Sequence, residues 1–89
     1  MKIELKKFGT TLTSRQLGRE AYSAFTPQLR DLIGEEKIEV YFDGVETFSP
    51  SWGDEFLTPL FSKYGNKLIL VNTDNPSVKA TLETLRKNQ

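Results

Sequence analysis

The sequence predicts an α/β fold, with a small mixed, partly parallel sheet of about four strands and helices mainly on one face. Three observations lead to this prediction. Segments with the two-residue period of strands alternate along the chain with segments of helical period. Strands joined through helices tend to be parallel, with right-handed crossovers. The chain has 89 residues, fewer than two cores usually need, so one domain over residues 1–89 is expected.

The first third of the chain predicts a strand, a second brief strand and a helix. The stretch "KIELKK" alternates apolar and charged residues, as half-buried strands do, and after a glycine turn "TTLT" is expected to pair back as a hairpin. Ser14, or the threonine before it, is expected to cap the helix. Pro27 is expected to interrupt this helix and to open a second, short one that runs through Ile33 and stops at Gly34. The apolar positions at helical spacing are Leu17, Ala21, Ala24 and Phe25.

The remainder of the chain predicts two further strands and two helices. "KIEVYFDG" places its isoleucine, valine and phenylalanine on one face of a strand, and "KLILVN" has the continuous apolar character of a central strand. Pro59 is expected to kink the helix between them. Pro76 is expected to lie in the first turn of a last helix, which Asp74 or Asn75 caps. The middle helix begins at Ser51, and its apolar stripe is Trp52, Phe56, Leu57, Leu60, Phe61 and Tyr64.

The composition argues against several classes of function. The chain has no cysteine and no histidine, so thiolate metal sites and the usual catalytic triads are excluded, and no cofactor or metal is expected. Twelve basic residues balance twelve acidic ones, and the lysines near the N-terminus (Lys2, Lys6 and Lys7) are too few to predict nucleic-acid binding. No apolar run approaches the roughly 20 residues that span a bilayer. The N-terminus lacks the apolar core of a signal peptide, so a soluble, cytoplasmic protein is expected.

The turn over residues 47–55, which begins at Thr47 and ends at Glu55, crosses from a strand into a helix and carries two serines around a proline. Ser51 and Asp54 form an S-x-x-D pattern, so Ser51 is predicted to cap the helix. A helix start also favours anions, which leaves Ser51 as a candidate phosphoacceptor. Trp52 is predicted to pack in the core, although its place at the helix start leaves room for a partner-facing ring.

Charged residues near this turn allow a second interpretation. The carboxylates are expected to solvate a surface or serve the helix start, with metal binding or acid–base chemistry as the alternative. Arg15 lies in the first turn of the first helix, where the helix dipole disfavours a cation, so an ion pair with Glu20 or Asp43 is expected. Catalysis would require Arg15 and the carboxylates to converge in a pocket. The carboxylates concerned are Asp43, Glu46, Asp54 and Glu55.

Three segments, "FGTTLTSRQLG", "IEVYFDGVETFSPSWGDEFL" and "KLILVNTDNPSVKATLETL", together resemble the STAS-like domains of unknown function. That bacterial family is related to the sulphate-transporter and anti-sigma-factor-antagonist (STAS) domains. The most specific parts are Gly9 with Ser14-Arg15, then Asp43-Gly44-Val45, then the block from Ser49 to Phe56. The resemblance covers nearly the whole chain and implies the same fold.

In the related antagonists, a phosphorylatable serine lies at this strand-to-helix turn, in a pattern like D-S-S-G. Alignment without gaps on Gly44-Val45 places Ser51 at the phosphoacceptor, Ser49 at the aspartate and Trp52 at the glycine, so the serine matches and its neighbours do not. The resemblance implies a non-enzymatic regulatory module that docks a protein partner, such as a kinase-like ATPase, through residues 47–55. The alternative is a small-ligand or anion-binding domain at the same helix start. The candidate contact residues are Ser49, Ser51, Trp52, Gly53, Asp54, Glu55 and Arg15.

Overall fold

The structure, a computed structural model, describes residues 1–31 and 36–87 of the chain. The elements confirm the predicted α/β fold, with three helices and five short strands in two small parallel sheets. In chain order they are β1 (Lys2–Glu4), a 3-10 turn (Leu5–Phe8), β2 (Thr11–Leu12), α1 (Arg15–Leu29), β3 (Ile38–Tyr41), β4 (Thr47–Phe48), α2 (Pro50–Tyr64), a 3-10 turn (Gly65–Lys67), β5 (Leu68–Val71) and α3 (Pro76–Lys87).

The five strands form two small sheets in which every described pair is parallel. Strand β3 lies between β1 and β5, with Val40 opposite both Ile3 and Leu70. Strands β2 and β4 form the second sheet. The hairpin predicted between "KIELKK" and "TTLT" is therefore wrong. Leu5 is fully buried, so the chain turns into the core directly after β1 instead of reversing beside it.

The apolar run "KLILVN" forms an edge strand, so its predicted central position is wrong. The central strand is β3, whereas all four residues of β5 are partly exposed. The register places Ile69 and Val71 beside Glu39 and Tyr41, on the sheet face opposite the buried Val40. A continuous apolar run indicates that both faces of a strand are apolar, and it does not distinguish an edge from a centre.

The hydrophobic core lies between the covered face of the larger sheet and the helices. Helix α2 packs between α1 and α3 and supplies the central aromatic residue, Phe56. The Trp52 ring stacks on the Phe56 ring, with centroids 4.9 Å apart. The largest fully buried side chains are those of Leu5, Leu12, Ile38, Val40, Phe48, Trp52, Phe56, Leu57, Leu60 and Val78.

Helix α1 differs from its prediction in two ways. It continues through Pro27 to Leu29, although a proline has no N–H to donate to the carbonyl oxygen four residues earlier. The proline lies in the last turn, so only two helical residues follow it. The expected helix through Ile33 and its stop at Gly34 lie outside the described residues. Leu17, which is 58% exposed, and Ala24 lie on the surface rather than on the apolar face. The buried face of α1 consists of Gly18, Ala21, Phe25 and Leu29.

The other two helices follow their predictions more closely. Helix α2 continues through Pro59 and ends at Tyr64, and the Gly65 that follows has a φ of 50°, a positive value that glycine adopts readily. Asn75 caps α3, since its side-chain oxygen accepts hydrogen bonds from the N–H groups of Ser77 (2.7 Å) and Val78 (3.3 Å). Within residues 1–31 and 36–87, no helix combines the length and the apolar character that crossing a membrane requires.

Candidate functional site

Helices α1 and α2 start side by side at the same end of the molecule. Each follows one strand of the parallel β2–β4 pair, so both chains enter their helices in the same direction. The Ser49 hydroxyl donates to the Thr13 carbonyl oxygen over 3.0 Å and ties the two starts together. We call residues 13–19 and 47–55 the paired helix starts. The predicted contact residues all lie within them.

The two helices pack backbone against backbone at Gly18. A Cβ atom built on Gly18 would lie 2.7 Å from the carbonyl oxygen of Trp52 and 3.0 Å from its Cα. Real Cβ atoms do not approach backbone atoms so closely, so only glycine permits this packing. Sequence reasoning missed Gly18, because a glycine inside a helical pattern does not by itself reveal what lies against it.

Ser49, and not Ser51, caps helix α2. The Ser49 backbone is extended (φ −109°, ψ 157°), and its hydroxyl oxygen accepts a hydrogen bond from the N–H of Trp52 at 3.4 Å. Pro50 occupies the first helical position, where a proline's missing N–H costs no helical hydrogen bond. The prediction that Ser51 caps the helix is therefore wrong. The sequence signal that identifies the true cap is the serine directly before a proline.

This shift of the cap changes the status of Ser51. Its side chain is half-buried in the first turn of α2, and its hydroxyl forms no hydrogen bond with any residue in the described part of the chain. The predicted capping box is also absent, because the Asp54 carboxylate is engaged elsewhere. One of its oxygens accepts from the Thr58 hydroxyl at 3.0 Å and the other from Arg15 at 3.1 Å. Ser51 is thus left without the structural role that the sequence predicted.

Two arginines of α1 face two carboxylates of α2. Arg15 Nη1 lies 3.1 Å from Asp54 and 3.8 Å from Glu55, and Arg19 donates to Glu55 through Nη2 (2.9 Å) and Nε (3.2 Å). The predicted pairing of Arg15 with Glu20 or Asp43 is wrong, since the parallel packing of the helices brings α2 closer. Sequence reasoning missed Arg19, although its spacing four residues after Arg15 places both on one helix face.

Two predicted contact residues serve the interior instead of the surface. Trp52 is 1% exposed, so the predicted core position is confirmed and a partner-facing ring is wrong. Gly53 is also buried. A Cβ on it would lie 2.9 Å from a methyl group of Leu85 and 3.0 Å from the Phe48 ring. Trp52 and Gly53 therefore pack in the core beneath the paired helix starts and do not contribute to their outer surface.

The carboxylates near the turn do not form a single cluster. Asp43 accepts two hydrogen bonds from the side-chain amide of Asn72, at 2.7 and 2.8 Å, beyond the ends of β3 and β5. This contact holds Asn72 in a left-handed conformation (φ 60°) that is uncommon outside glycine. Arg15 meets Asp54 and Glu55 but not Asp43. Among residues 1–31 and 36–87, no three acidic side chains lie close enough together to hold a metal ion.

Two adjoining cavities lie along α1, away from the arginine–carboxylate contacts. The first has a volume of about 200 Å³ and the second of about 260 Å³, and both include Phe8 and Ala24 in their walls. The second reaches the exposed Leu17 and the buried Trp52. Leu17 is the one large hydrophobic residue that is exposed in the described part of the chain, and it belongs to the paired helix starts. The sequence pattern had predicted Leu17 to lie in the core, so its exposure was not expected.

Comparison with known proteins identifies the family. A family model described as "STAS-like domain of unknown function (DUF4325)" matches residues 19–78, more than half of the chain. The match includes Ser49 and Ser51, whereas Arg15 and Leu17 precede it. Neither curated protein sequences nor solved structures yield a match to the chain. The chain belongs to the family of STAS-like domains of unknown function.

Proposed function

We propose that this chain is a non-enzymatic regulatory module of the bacterial cytoplasm, which docks a protein partner through the paired helix starts. One observation carries the proposal: Ser49 caps α2, so the half-exposed hydroxyl of Ser51 has no capping role. A residue at this point of the surface that the fold does not need is available for recognition or modification. Pro50, next to it, is exposed, and Leu17 is exposed in the first turns of α1.

The charges around Ser51 favour a role for it as a switch. A phosphate there would carry a charge of about −1.5 to −2, at the positive end of the α2 helix dipole. Asp54 and Glu55 lie three and four residues later, on the same helix face, and by themselves would repel it. Arg15 and Arg19 compensate both carboxylates. The added negative charge therefore alters the outer surface without breaking the cap at Ser49.

The kind of partner follows from the family relationship. The related antagonists meet an ATP-binding, kinase-like protein at the corresponding turn, so a kinase-like ATPase is the partner that we propose. Apolar contact would come from Leu17, which is 58% exposed, and from Pro50. Interfaces concentrate their binding energy in a few such contacts, surrounded by polar residues. Arg15 and Asp54 supply the polar surround.

The test combines phosphorylation with binding. The chain is incubated with a purified kinase-like ATPase of the same bacterium and with MgATP, and intact mass and peptide mapping report any phosphate. We expect one phosphate at Ser51, none in Ser51→Ala, and an affinity for the ATPase that falls about tenfold in Ser51→Asp, a change of about 1.4 kcal/mol. Ser62→Asp, at an exposed position near the end of the same helix, is the matched control and leaves affinity unchanged. Absence of phosphate together with unchanged affinity in Ser51→Asp would refute the switch.

A second candidate function is anion or small-ligand binding at the same place. The observation that favours it is that α1 and α2 present their positive ends together, and neither first turn contains an acidic residue. A ligand that binds the native state raises the melting temperature by mass action. Phosphate or a nucleotide should then raise the melting temperature of the chain and have no effect on Ser51→Asp. A flat thermal-shift profile would count against this function.

A further inference from the structure

Strand β1 lies at an edge of the larger sheet, so some of its backbone N–H and C=O groups have no partner strand in the described part of the chain. The N–H of Glu39 donates to the carbonyl oxygen of Met1 at 2.8 Å, which fixes the phase of the β1–β3 ladder. In a parallel ladder, the peptide groups of alternate residues point to opposite sides. Those of Ile3 therefore point towards β3, while the N–H and C=O of Lys2 and the N–H of Glu4 point to the free edge. An incoming extended chain needs such groups in order to add as a strand.

A cavity lies directly beside this edge. Its volume of about 200 Å³ is below the roughly 300 Å³ at which small-molecule sites begin, so it suits one inserted side chain better than a whole ligand. The rings of Phe8 and Phe25 give it apolar walls, and Ala24 adds a small side chain at its opening. The full lining is Lys2, Ile3, Glu4, Lys7, Phe8, Ala24, Phe25 and Gln28. The unpaired edge of β1 and the apolar cavity are thus adjacent, as they are in domains that bind peptides by strand addition.

The charge at this edge selects among extended chains. Residues 2–8 contain three lysines and one glutamate, a net charge of +2. Lys7 is exposed at the cavity and forms no ion pair with a described residue, while Glu4 is 4.0 Å from Lys6 and so already compensated. On the α1 side the cavity is bordered by the neutral Gln28. Glu4 is the one acidic residue in its lining, and Glu20 lines the second cavity. An acidic chain is complementary to this rim, and a basic one is not.

We propose that the groove between β1 and α1 binds an extended acidic segment of a partner protein. The segment adds a strand to the edge of β1, inserts one apolar side chain between Phe8 and Phe25, and places acidic residues beside Lys2 and Lys7. This groove is separate from Ser51 and from the arginine–carboxylate contacts, so the inference does not rest on the function proposed above.

The test uses a defined probe, the capped heptapeptide EDELEDE, with EDEAEDE and KDKLKDK as control peptides. Titration into ¹⁵N-labelled chain should shift the amide signals of Lys2 and Glu4, which face the free edge, and those of Ala24 and its neighbours. EDELEDE should bind about tenfold more tightly than EDEAEDE, because only its leucine fills the apolar cavity, and about tenfold more tightly than KDKLKDK, because the lysines of that peptide are repelled by the basic rim. Its affinity should fall as salt is raised from low to high concentration, since the rim is exposed.

Matched variants locate the contact. Ala24→Glu places a carboxylate at the cavity opening and should weaken EDELEDE binding about tenfold. Ser23→Glu adds the same charge at the adjacent exposed position of α1, which does not line the cavity, and should leave the affinity unchanged. Circular-dichroism melting confirms that both variants fold. No amide shifts at millimolar peptide, or equal losses in the two variants, would overturn the proposal. Concentration-dependent self-association that Ala24→Glu abolishes would also overturn it, because the occupant would then be a second copy of the chain.

Discussion

A pair of alanine substitutions, Ser49→Ala and Ser51→Ala, tests the observation on which the proposed function rests. The two serines are separated by one residue and have the same chemistry, yet the structure gives them different tasks. Ser49 accepts from the Trp52 N–H and donates to the Thr13 carbonyl, whereas Ser51 forms no hydrogen bond with a described residue. Stability should therefore depend on the first serine and be nearly independent of the second.

The expected magnitudes follow from these contacts. Loss of a helix cap costs about 1 kcal/mol, and loss of one further hydrogen bond about 0.5–1.5 kcal/mol. The cap bond is long, at 3.4 Å, so a total of about 1.5–2 kcal/mol is expected for Ser49→Ala. In a domain of this size, 1 kcal/mol shifts the melting temperature by about 4–8 °C, which gives a decrease of about 6–16 °C. Ser51→Ala should change stability by less than about 0.5 kcal/mol.

Urea unfolding followed by circular dichroism measures both free energies, and the slope of each transition shows whether the variants unfold alike. Ser49→Asp is the control. Aspartate caps helices as well as serine does but cannot donate to Thr13, so this variant should recover about 1 kcal/mol of the loss. The reasoning fails if Ser51→Ala destabilises the chain as much as Ser49→Ala. Ser51 would then be the cap after all, and its availability as a switch would lose its support.

Three further predictions concern the same region. Gly18→Ala should lower the free energy of unfolding by about 1–3 kcal/mol, because the new Cβ would meet the Trp52 backbone. Gln16→Ala, at an exposed site of the same helix, should not lower it. If urea unfolding shows that Gly18→Ala is stabilised, the close approach is contradicted. Arg15→Ala should cost less than about 1 kcal/mol, with the loss shrinking in 1 M salt, because its ion pairs are exposed; a larger loss in the same unfolding assay would contradict this. Leu17→Ser should change the free energy of unfolding by less than about 0.5 kcal/mol, because Leu17 is exposed. It should weaken binding of the partner measured by calorimetry, and an unchanged affinity would show that Leu17 is not part of the docking surface.

The fold was predictable where local pattern and burial agree. The alternation in "KIEVYFDG" identified β3, and Asn75 before Pro76 identified the start of α3, because both signals act within a few residues. The position of β5 was not predictable in this way. Its apolar run reports the character of both faces, while its place at the edge depends on which strands lie beside it. Strand pairing is a property of distant segments.

The candidate site shows the same division. The region is a strand-to-helix turn, as predicted. The S-x-x-D pattern predicts Ser51 as the cap, whereas the serine directly before Pro50 is the signal that marks the true cap, Ser49. Arg15 stood out as a cation at a helix start, and its partners Asp54 and Glu55 lie 39 and 40 positions further along the chain. Pairings of that kind depend on how two helices pack, which local spacing does not specify.

The packing beneath the paired helix starts indicates how a switch at Ser51 would act. Gly18 touches the Trp52 backbone, and Trp52 is stacked on Phe56 in the core, so the two helices cannot move apart without opening the interior. Ser49 fixes the cap independently of Ser51. A charge added at Ser51 should therefore leave the backbone of both helices in place. Only the exposed side chains near it, foremost that of Arg15, are expected to rearrange. A partner would then meet a changed surface charge on an unchanged backbone. NMR amide shifts in Ser51→Asp should therefore stay confined to the paired helix starts.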